Sequence, residues 1–492
     1  MTTLRLRNEP NSRASLHAST SVAATTAPVT ADASSVPLAN VPSVSLADGA
    51  HEGLRWRRLA TGVSQLLGTH AITAFVGLAS IPIVARNLGP AGYGQFSLFV
   101  LLLGLVTYQD FIRPLLIREW SSSPDAADRE RLTALSLVTT WVIASIAVVV
   151  GLCLLPWAAA LAFALAAGAH SLASVDYARL AAAGRIGTAG AVRNVAFAAA
   201  TATVAAASFV VRDHPAWLVH AYAWPFAFGN VIIFLVYRRQ VGGASGWKLD
   251  ARARAAAVSA WRAHRGAITS LVGFGVATAV VVSTDRVLLE HLADDESFGA
   301  YAACADLAVK LTVVGTALGM ALYPALSSSV VRDPRAAARR FVHVAGLVML
   351  GWFVLVTTLV AFHREVIALV LGPAFAASHS IYAWILVGVF VHMLGFLLTP
   401  WQRARGEFGR QTRAYGVAGA AMIVVGLVAI PRFGAAGAVA CYLTGRTAEI
   451  LILVGEARVL TRDVLPRRKL AWLVVMIACV GATAWWTSGG GA

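Results

Sequence analysis

Charged residues are scarce in this 492-residue chain, since Asp, Glu, Lys and Arg make up only 13% of it while hydrophobic residues make up 58%. Acidic residues are the scarcer sign, with 24 Asp and Glu against 40 Lys and Arg, so the formal net charge is +16. Between residues 59 and 487 no gap between apolar stretches is long enough to fold as a soluble domain. This absence disfavours glycosyltransferases, polymerases and ligases with a catalytic loop in water, and we expect no enzyme.

Cysteine is also rare, with four residues in the whole chain. They are Cys153, Cys304, Cys441 and Cys479, and no two of them form a C-x-x-C pair. All four lie within apolar stretches or at their ends, which suits small buried side chains better than a zinc site or a disulfide framework. We therefore expect no metal and no bound cofactor.

Long apolar stretches dominate the chain, and its mean hydropathy is +0.70. A stretch of about 20 apolar residues is long enough to cross a bilayer as a helix. The sequence predicts such spans at 59–85, 94–118, 131–153, 154–181, 187–210, 215–237, 266–291, 297–326, 341–363, 377–402, 411–431, 434–457 and 470–487. The pattern therefore predicts an all-α polytopic membrane protein with two sets of six spans and a thirteenth C-terminal span.

The cationic residues fall in every second gap between these spans, as in residues 238–265 and 458–469. The opposite gaps contain only Arg86, Arg212, Arg364 and Arg432. By the positive-inside rule the arginine-rich gaps and the N-terminus are cytoplasmic, in an inner membrane. Because the positive charge lies at bilayer ends, we expect anionic lipid headgroups as partners and no nucleic acid.

The composition also divides the chain into segments. Residues 1–54 are rich in Ala, Ser and Thr without a helical period, so we expect a disordered cytoplasmic tail, which we favour over an organellar transit peptide. The remaining segments are a first lobe at 55–240, a linker with a short amphipathic helix at 241–265, a second lobe at 266–460 and an extension at 461–492.

Two short hairpins, six spans apart, have a similar sequence. The first enters its second helix through Tyr93-Gly94-Gln95-Phe96, and the other does so through Phe298-Gly299-Ala300-Tyr301. Repeats separated by six spans have the same orientation in the membrane, as in transporters built from parallel repeats. Turn chemistry alone could also produce so short a match, but we favour a true duplication.

Four further runs carry a resemblance to a known family. They are Ile81-Pro82-Ile83-Val84-Ala85-Arg86-Asn87-Leu88-Gly89-Pro90-Ala91-Gly92-Tyr93-Gly94, Ser283-Thr284-Asp285-Arg286-Val287-Leu288-Leu289, Tyr323-Pro324-Ala325-Leu326-Ser327 and Phe433-Gly434-Ala435-Ala436-Gly437-Ala438. Their order and spacing over residues 55–460 resemble the polysaccharide-export branch of the multidrug/oligosaccharidyl-lipid/polysaccharide (MOP) flippase superfamily, the Wzx-type repeat-unit flippases. The chain departs from the family pattern in its long N-terminal tail and its thirteenth span.

The resemblance implies two six-helix lobes around a central cavity. It also implies that undecaprenyl-pyrophosphate-linked oligosaccharide moves from the cytoplasmic to the outer leaflet for O-antigen, capsule or exopolysaccharide synthesis. A polysaccharide polymerase and chain-length machinery would then be partners. A diphosphate and a sugar chain cannot cross hydrocarbon unaided, so ionisable residues within the spans are the candidate site.

Five cationic residues lie within the spans and are candidate contacts for the pyrophosphate: Arg113, Arg193, Arg286, Lys310 and Arg446. Four have an acidic residue nearby along the chain, in the pairs Asp110 and Arg113, Asp285 and Arg286, Asp306 and Lys310, and Arg446 and Glu449. Arg193 has no acidic residue three or four positions away, so we favour it as the pyrophosphate contact, because a guanidinium fork matches phosphate oxygens.

The acidic partners leave two interpretations open. In the first, pairs of this kind simply neutralise each other and help helices dock. In the second, Asp285, Asp306 and Glu449 are candidate coupling carboxylates for a proton or sodium gradient, and an uncoupled or potential-driven flip is the remaining case. We expect the intramembrane His170 and His392 to hydrogen-bond between helices.

Three classes of function remain open after these observations. A lipid-linked oligosaccharide flippase needs a cationic path, which the mid-depth Lys310 and Arg446 favour. A drug or cation antiporter of the same superfamily would be dominated by carboxylates and aromatics, and a scaffold would have no cavity. Among flippases, a carrier of the peptidoglycan precursor lipid II is the alternative, although such carriers typically have fourteen spans.

Overall fold

The computed structural model describes most of the membrane part of the chain. The described residues are 50–104, 113–122, 130–139, 141, 142, 145, 149, 157–183, 185–211, 215–241, 251–456 and 467–488. Within these ranges the backbone is helical apart from short turns, and it forms no strand. The all-α architecture predicted from the sequence is therefore confirmed. The predicted tail lies outside the described residues up to residue 49.

Five helices have defined bounds in the described part of the first lobe. They are α1 (Ala50–Gly104), α2 (Arg113–Ser122), α3 (Trp157–Ala182), α4 (Ile186–Ser208) and α5 (Pro215–Gln240). Residues 130–139 are also helical, but the rest of the predicted span 131–153 lies almost entirely outside the described residues.

Nine α-helices and a 3₁₀ helix follow in the described part of residues 251–488. They are α6 (Ala251–Leu292), α7 (Asp295–Lys310), α8 (Val313–Arg332), α9 (Pro334–Ala361), α10 (His363–Val370), the 3₁₀ helix Pro373–Ser378, α11 (His379–Ala404), α12 (Phe408–Phe433), α13 (Ala435–Glu456) and α14 (Arg467–Ser488). The last of these covers the predicted thirteenth span.

Eleven helical segments of the described chain are long and apolar enough to cross a membrane. The most hydropathic lies at Pro334–Ala361, with a mean hydropathy of 2.3. Many large apolar side chains on the outside of the bundle are exposed, as lipid contact requires, including Phe75 at 73% and Trp486 at 74%. The chain is a multi-pass membrane protein.

Three boundaries differ from the sequence-based expectation. The first hairpin interrupts α1 at a single residue, Gly89, whose φ of 67° and ψ of 179° break the helix. Glycine suits this position because a side chain disfavours positive φ. The predicted span 297–326 is divided at Leu311 and Thr312 into α7 and α8. The expected linker helix is not separate, because residues 251–265 are the first turns of α6.

The start of α7 is capped by a side chain. Asp294 adopts an extended conformation, and its Oδ1 accepts a hydrogen bond of 2.8 Å from the backbone N–H of Ser297. Hydrogen bonding from Ser297 to the ionised carboxylate holds the pKa of Asp294 below its usual value. Asp295 and Glu296 add negative charge at the same helix end, where the macrodipole favours it. The turn between α6 and α7 is therefore well defined.

Helix α1 joins the two lobes. It packs against α4 and α5 of the first lobe and against α7 and α8 of the second. In the second lobe, α12 packs between α6 and α13, while α11 contacts α8, α13 and α14. We call the end of the bundle that contains the Gly89 turn and the α6–α7 turn the hairpin end.

The two hairpins predicted to be repeats pack directly against each other at this end. A Cβ atom placed on Gly94 would lie 2.8 Å from Cδ1 of Phe298 and 3.1 Å from Cα of Gly299. A Cβ atom on Gly299 would lie 1.7 Å from the carbonyl oxygen of Pro90. Only glycine permits this approach, so the lobes are in backbone contact at the hairpin end.

We predict that Gly299→Ala destabilises this contact by about 1 to 3 kcal/mol, the usual cost of overpacking a close-packed site. The measurement is thermal unfolding of the purified protein in detergent. Gly346→Ala in α9 is the matched control, because a Cβ atom at Gly346 would meet nothing within 4 Å. Equal melting temperatures for the two variants would contradict the proposed backbone contact.

Candidate functional site

A cluster of four polar side chains joins the lobes beneath the hairpin contact. Nη2 of Arg286 lies 2.7 Å from Oδ1 of Asp306, and its Nη1 donates to Oγ of Ser97 at 2.9 Å. The other oxygen of Asp306, Oδ2, accepts hydrogen bonds from Oγ of Ser97 at 2.8 Å and from the hydroxyl of Tyr93 at 2.9 Å. We call these four residues the interlobe cluster.

The sequence builds this cluster by local geometry. Tyr93 and Ser97 are four residues apart, so they lie on one face of α1, which packs against α7. Asp306 is eleven residues beyond the first residue of α7, which places it about 16 Å from the hairpin end at 1.5 Å per residue. Ser97 and Arg286 are only 1% and 7% exposed. The cluster is therefore a buried, charge-neutral contact between the lobes.

Two of the acidic residues bond to side chains other than their cationic neighbours along the sequence. Asp306 is predicted to pair with Lys310 four residues later, but it binds Arg286 of the neighbouring helix. Asp285 is predicted to neutralise Arg286 beside it, but it accepts a hydrogen bond from the hydroxyl of Tyr301. Adjacent residues point to different sides of a helix, and the antiparallel α6–α7 pair offers closer partners than the same helix does.

Lys310 lies at the last residue of α7, between the lobes. A Cβ atom on Gly77 of α1 would lie 3.2 Å from Cε of Lys310 and 3.5 Å from its Nζ. The C-terminus of a helix favours a cation. In the described part of the chain no acidic group forms an ion pair with this half-buried ammonium. Lys310 therefore brings a positive charge to the lobe interface that the interlobe cluster does not neutralise.

A second polar cluster lies inside the second lobe. Nη1 of Arg446 is 3.0 Å from Oε2 of Glu449, which confirms the pair predicted at i, i+3 on α13. His392 of α11 joins it, with its Nδ1 3.1 Å from Oε2 of Glu449 and 3.2 Å from Nη1 of Arg446. The guanidinium also lies over the ring of Tyr442 at 5.0 Å. We call His392, Arg446 and Glu449 the buried triad.

His170 and His392 both bridge helices, as predicted. Nδ1 of His170 on α3 lies 3.0 Å from Oδ1 of Asn230 on α5. His392 similarly joins α11 to α13 through Glu449. Among the described residues no group of three or more His, Cys, Asp or Glu side chains has the arrangement of a metal site.

The remaining predicted cations lie in the first lobe. The guanidinium of Arg193 is 5.4 Å from the ring centre of Phe197, and that of Arg113 is 5.2 Å from the ring centre of Tyr177. The Asp110 partner predicted for Arg113 lies outside the described residues. Thr73 of α1 donates to the backbone carbonyl of Asn194, next to Arg193. Thr73 is one turn of α1 from Gly77, so the backbone beside Arg193 meets α1 one turn from the contact with Lys310.

Sequence reasoning missed Arg403, because the predicted span ends at residue 402 and Arg403 then falls in the basic loop after that span. Helix α11 extends to Ala404, so Arg403 belongs to its last turn. Its Nε donates to Oε1 of Gln411 at 3.1 Å, and its guanidinium lies 5.0 Å from the ring centre of Phe274. The signal that could have found it is Gln411, a polar residue at the start of the next span.

No protein-family model and no curated protein sequence matches this chain. Solved structures do share its fold. The chain is similar to the lipid II flippase MurJ in an inward closed conformation, with a TM-score of 0.61 and 9% identity, over 86% of this chain and 97% of that one.

Two multidrug and toxic compound extrusion (MATE) structures are also similar. The Vibrio cholerae MATE transporter VcmN in its bent form has a TM-score of 0.53 at 12% identity, over 83% of this chain and 100% of that one. A multidrug resistance MATE family transporter of the MOP superfamily, in an outward-facing conformation, has a TM-score of 0.52 at 11% identity, over 82% and 96%. The chain therefore shares the fold of these flippase and transporter structures.

We predict that Arg286 and Asp306, the ion pair within the interlobe cluster, are energetically coupled to each other. In a double-mutant cycle of Arg286→Gln and Asp306→Asn, the combined loss of stability should be smaller than the sum of the single losses. The coupling should be about 0.5 to 3 kcal/mol, as for residues in one network. Melting temperatures of the purified variants measure it.

The matched control cycle combines Arg286→Gln with Arg432→Gln. Arg432 is exposed, and its Nη1 bonds the carbonyl of Val428 on its own helix. This second cycle should be additive. Additivity in both cycles would show that Arg286 and Asp306 do not stabilise each other.

Proposed function

We propose that the protein is a flippase, and not an enzyme, that moves an undecaprenyl-pyrophosphate-linked oligosaccharide across the inner membrane for polysaccharide synthesis. The observation that carries this proposal is the position of Lys310. Its ammonium lies between the lobes, against α1, where the described acidic groups do not pair with it. A half-buried cation is costly when the nearby carboxylate of Asp306 is already ion-paired with Arg286, so the site suits an anionic cargo such as a diphosphate.

The carboxylates of the site support an anionic cargo over a cationic one. Asp306 is engaged by Arg286, and Glu449 by Arg446. Asp285 accepts a hydrogen bond from Tyr301. An antiporter for cationic drugs would need carboxylates that face its cargo, whereas here each of them is already bonded to a neighbouring side chain. This distribution of charge disfavours the antiporter alternative.

A lipid II flippase is the second candidate. It is favoured by the similarity to MurJ, a flippase of lipid II. Both cargoes present a diphosphate on a polyprenyl chain, so both would use the same cations. The predicted thirteen spans support the polysaccharide-export assignment, because the peptidoglycan-precursor carriers typically have fourteen.

The orientation follows from the positive-inside rule. We propose that the arginine-rich ends of the helices and the N-terminus face the cytoplasm, so that the hairpin end faces outward. Cargo would then enter between the lobes from the cytoplasmic side and leave after the interlobe cluster opens. A polysaccharide polymerase and chain-length machinery would then take up the flipped cargo. A proton gradient, a sodium gradient or the membrane potential would drive the cycle.

We predict that a deletion strain accumulates lipid-linked oligosaccharide on the cytoplasmic face of the inner membrane, as measured with a membrane-impermeant label. Wild type should restore export. Lys310→Met should be roughly tenfold slower, the loss expected when one charge-assisted hydrogen bond to the cargo is removed. Arg193→Ala tests the other favoured contact in the same assay.

Arg432→Gln serves as the matched cation control and should export normally, because Arg432 is exposed at the end of α12. Normal sidedness of the lipid in the deletion strain, together with new drug sensitivity, would instead support the antiporter. Accumulation of lipid II rather than of a polysaccharide precursor would support the second candidate.

We predict that Asp306→Asn makes flipping insensitive to collapse of the proton gradient, if Asp306 is the coupling carboxylate. Asp294→Asn, at the exposed cap of α7, should remain as sensitive as wild type. The measurement is the same label assay with and without a protonophore. Unchanged sensitivity in Asp306→Asn would remove this residue from the coupling role.

A further inference from the structure

The buried triad is a triangle of atoms in which each is within hydrogen-bond distance of the other two. Nδ1 of His392 lies 3.1 Å from Oε2 of Glu449 and 3.2 Å from Nη1 of Arg446, and Nη1 lies 3.0 Å from Oε2. Counted from the hairpin ends of their helices, His392 and Glu449 both lie about 20 Å deep at 1.5 Å per residue. The triangle is thus at mid-membrane depth.

No single protonation state of the imidazole satisfies all three edges of this triangle. A guanidinium nitrogen only donates, and an ionised carboxylate only accepts. When Nδ1 of His392 has a proton, it can donate to Glu449 but faces the donor on Arg446. When Nδ1 has no proton, it can accept from Arg446 but faces an acceptor on Glu449. The ring therefore exchanges one partner for the other when Nδ1 gains or loses its proton.

The charge balance gives that exchange a direction. With a neutral ring, the charges of Arg446 and Glu449 cancel. One added proton makes the ring a donor at both nitrogens, and its bond to Glu449 becomes charge-assisted. We propose that the triad is a binding site for a coupling proton, in which His392 holds the proton, Glu449 accepts its hydrogen bond and Arg446 is the fixed cation.

Access to the site is on the histidine side. The side chain of His392 is 10% exposed, whereas those of Arg446 and Glu449 are 6% and 0% exposed. The edge of Phe396 closes one side of the imidazole, with ring centres 4.5 Å apart. The other titratable groups that face the triangle are Asp285 on α6, Tyr415 on α12 and Tyr442 on α13. Within the triad, His392 is therefore the side chain that is most accessible to an incoming proton.

The position of His392 also links proton binding to the lobe interface. On one face of α11, a Cβ atom on Gly395 would lie 2.4 Å from Oε1 of Glu449. On another face, Met393 packs so closely on α8 that a Cβ atom on Gly315 would lie 2.6 Å from its sulfur. Helix α8 contacts α1 and α2 of the first lobe. A change of partner at His392 therefore shifts α11 relative to α13 and to α8, the helix that contacts the first lobe.

This inference rests on the chain being a transporter, but it does not depend on the identity of the cargo. The test is a pH-difference infrared spectrum of the full-length purified protein, which needs no substrate. Wild type should show an imidazole band and a carboxylate band that change with the same midpoint. His392→Gln should lose both changes, because glutamine keeps the polar contact but cannot be protonated.

His170→Gln is the matched control, since His170 is buried in the first lobe and bonds an amide rather than a carboxylate. It should keep both band changes. Glu449→Gln should lose the carboxylate change, and it keeps the test decisive if His392→Gln does not accumulate. Paired bands that persist in His392→Gln, or in Glu449→Gln, would overturn the proposal.

A transport readout separates this inference from the proposed function. In the impermeant-label assay, His392→Gln should lose the dependence of flipping on the proton gradient, while His170→Gln should retain it. Paired infrared bands in wild type with no flipping of lipid-linked oligosaccharide would support the proton site and refute the cargo. Flipping by His392→Gln that still follows the proton gradient would refute the proton site alone.

Discussion

The arrangement of the two lobes depends on the hydrogen bonds that Tyr93 and Ser97 of the first lobe make to the Arg286–Asp306 ion pair of the second lobe. Little water reaches this depth, so an ionised group needs a charged or hydrogen-bonding partner, and separation of a buried pair is costly. Ser97 of the other lobe bonds both members of the pair, and Tyr93 bonds Asp306. The lobes can therefore part at the hairpin end only if other groups replace these partners.

The glycine contact makes the same interface either closed or open, with little between. Gly94 and Gly299 bring the backbones of α1 and α7 together so closely that a methyl group does not fit. Dispersion contacts of this kind are lost within a fraction of an ångström of separation. The close backbone contact and the buried ion pair beneath it therefore both oppose separation of the lobes at the hairpin end.

The sequence could predict what hydropathy and helical spacing determine. Positions of the spans and the pair of Arg446 and Glu449 follow from patterns along one helix. The partner of Asp306 does not follow from such a pattern, because it depends on which face of α6 packs against α7. His392 and Arg403 were undervalued for the same reason, since their significance comes from neighbours on other helices. Turn residues located both hairpins, but not the contact between them.

The two similar hairpins meet at the hairpin end of the lobe interface, yet they do not contribute equally. Aligning Gly94 with Gly299 places Ile81 opposite Arg286 and Leu101 opposite Asp306 in the two predicted repeats. The small residues are shared, because both backbones must approach the same axis. The charges occur only in the second repeat, and the first supplies hydroxyl groups to them. This asymmetry lets hydroxyl groups of the first lobe bond to an ion pair that is held within the second lobe.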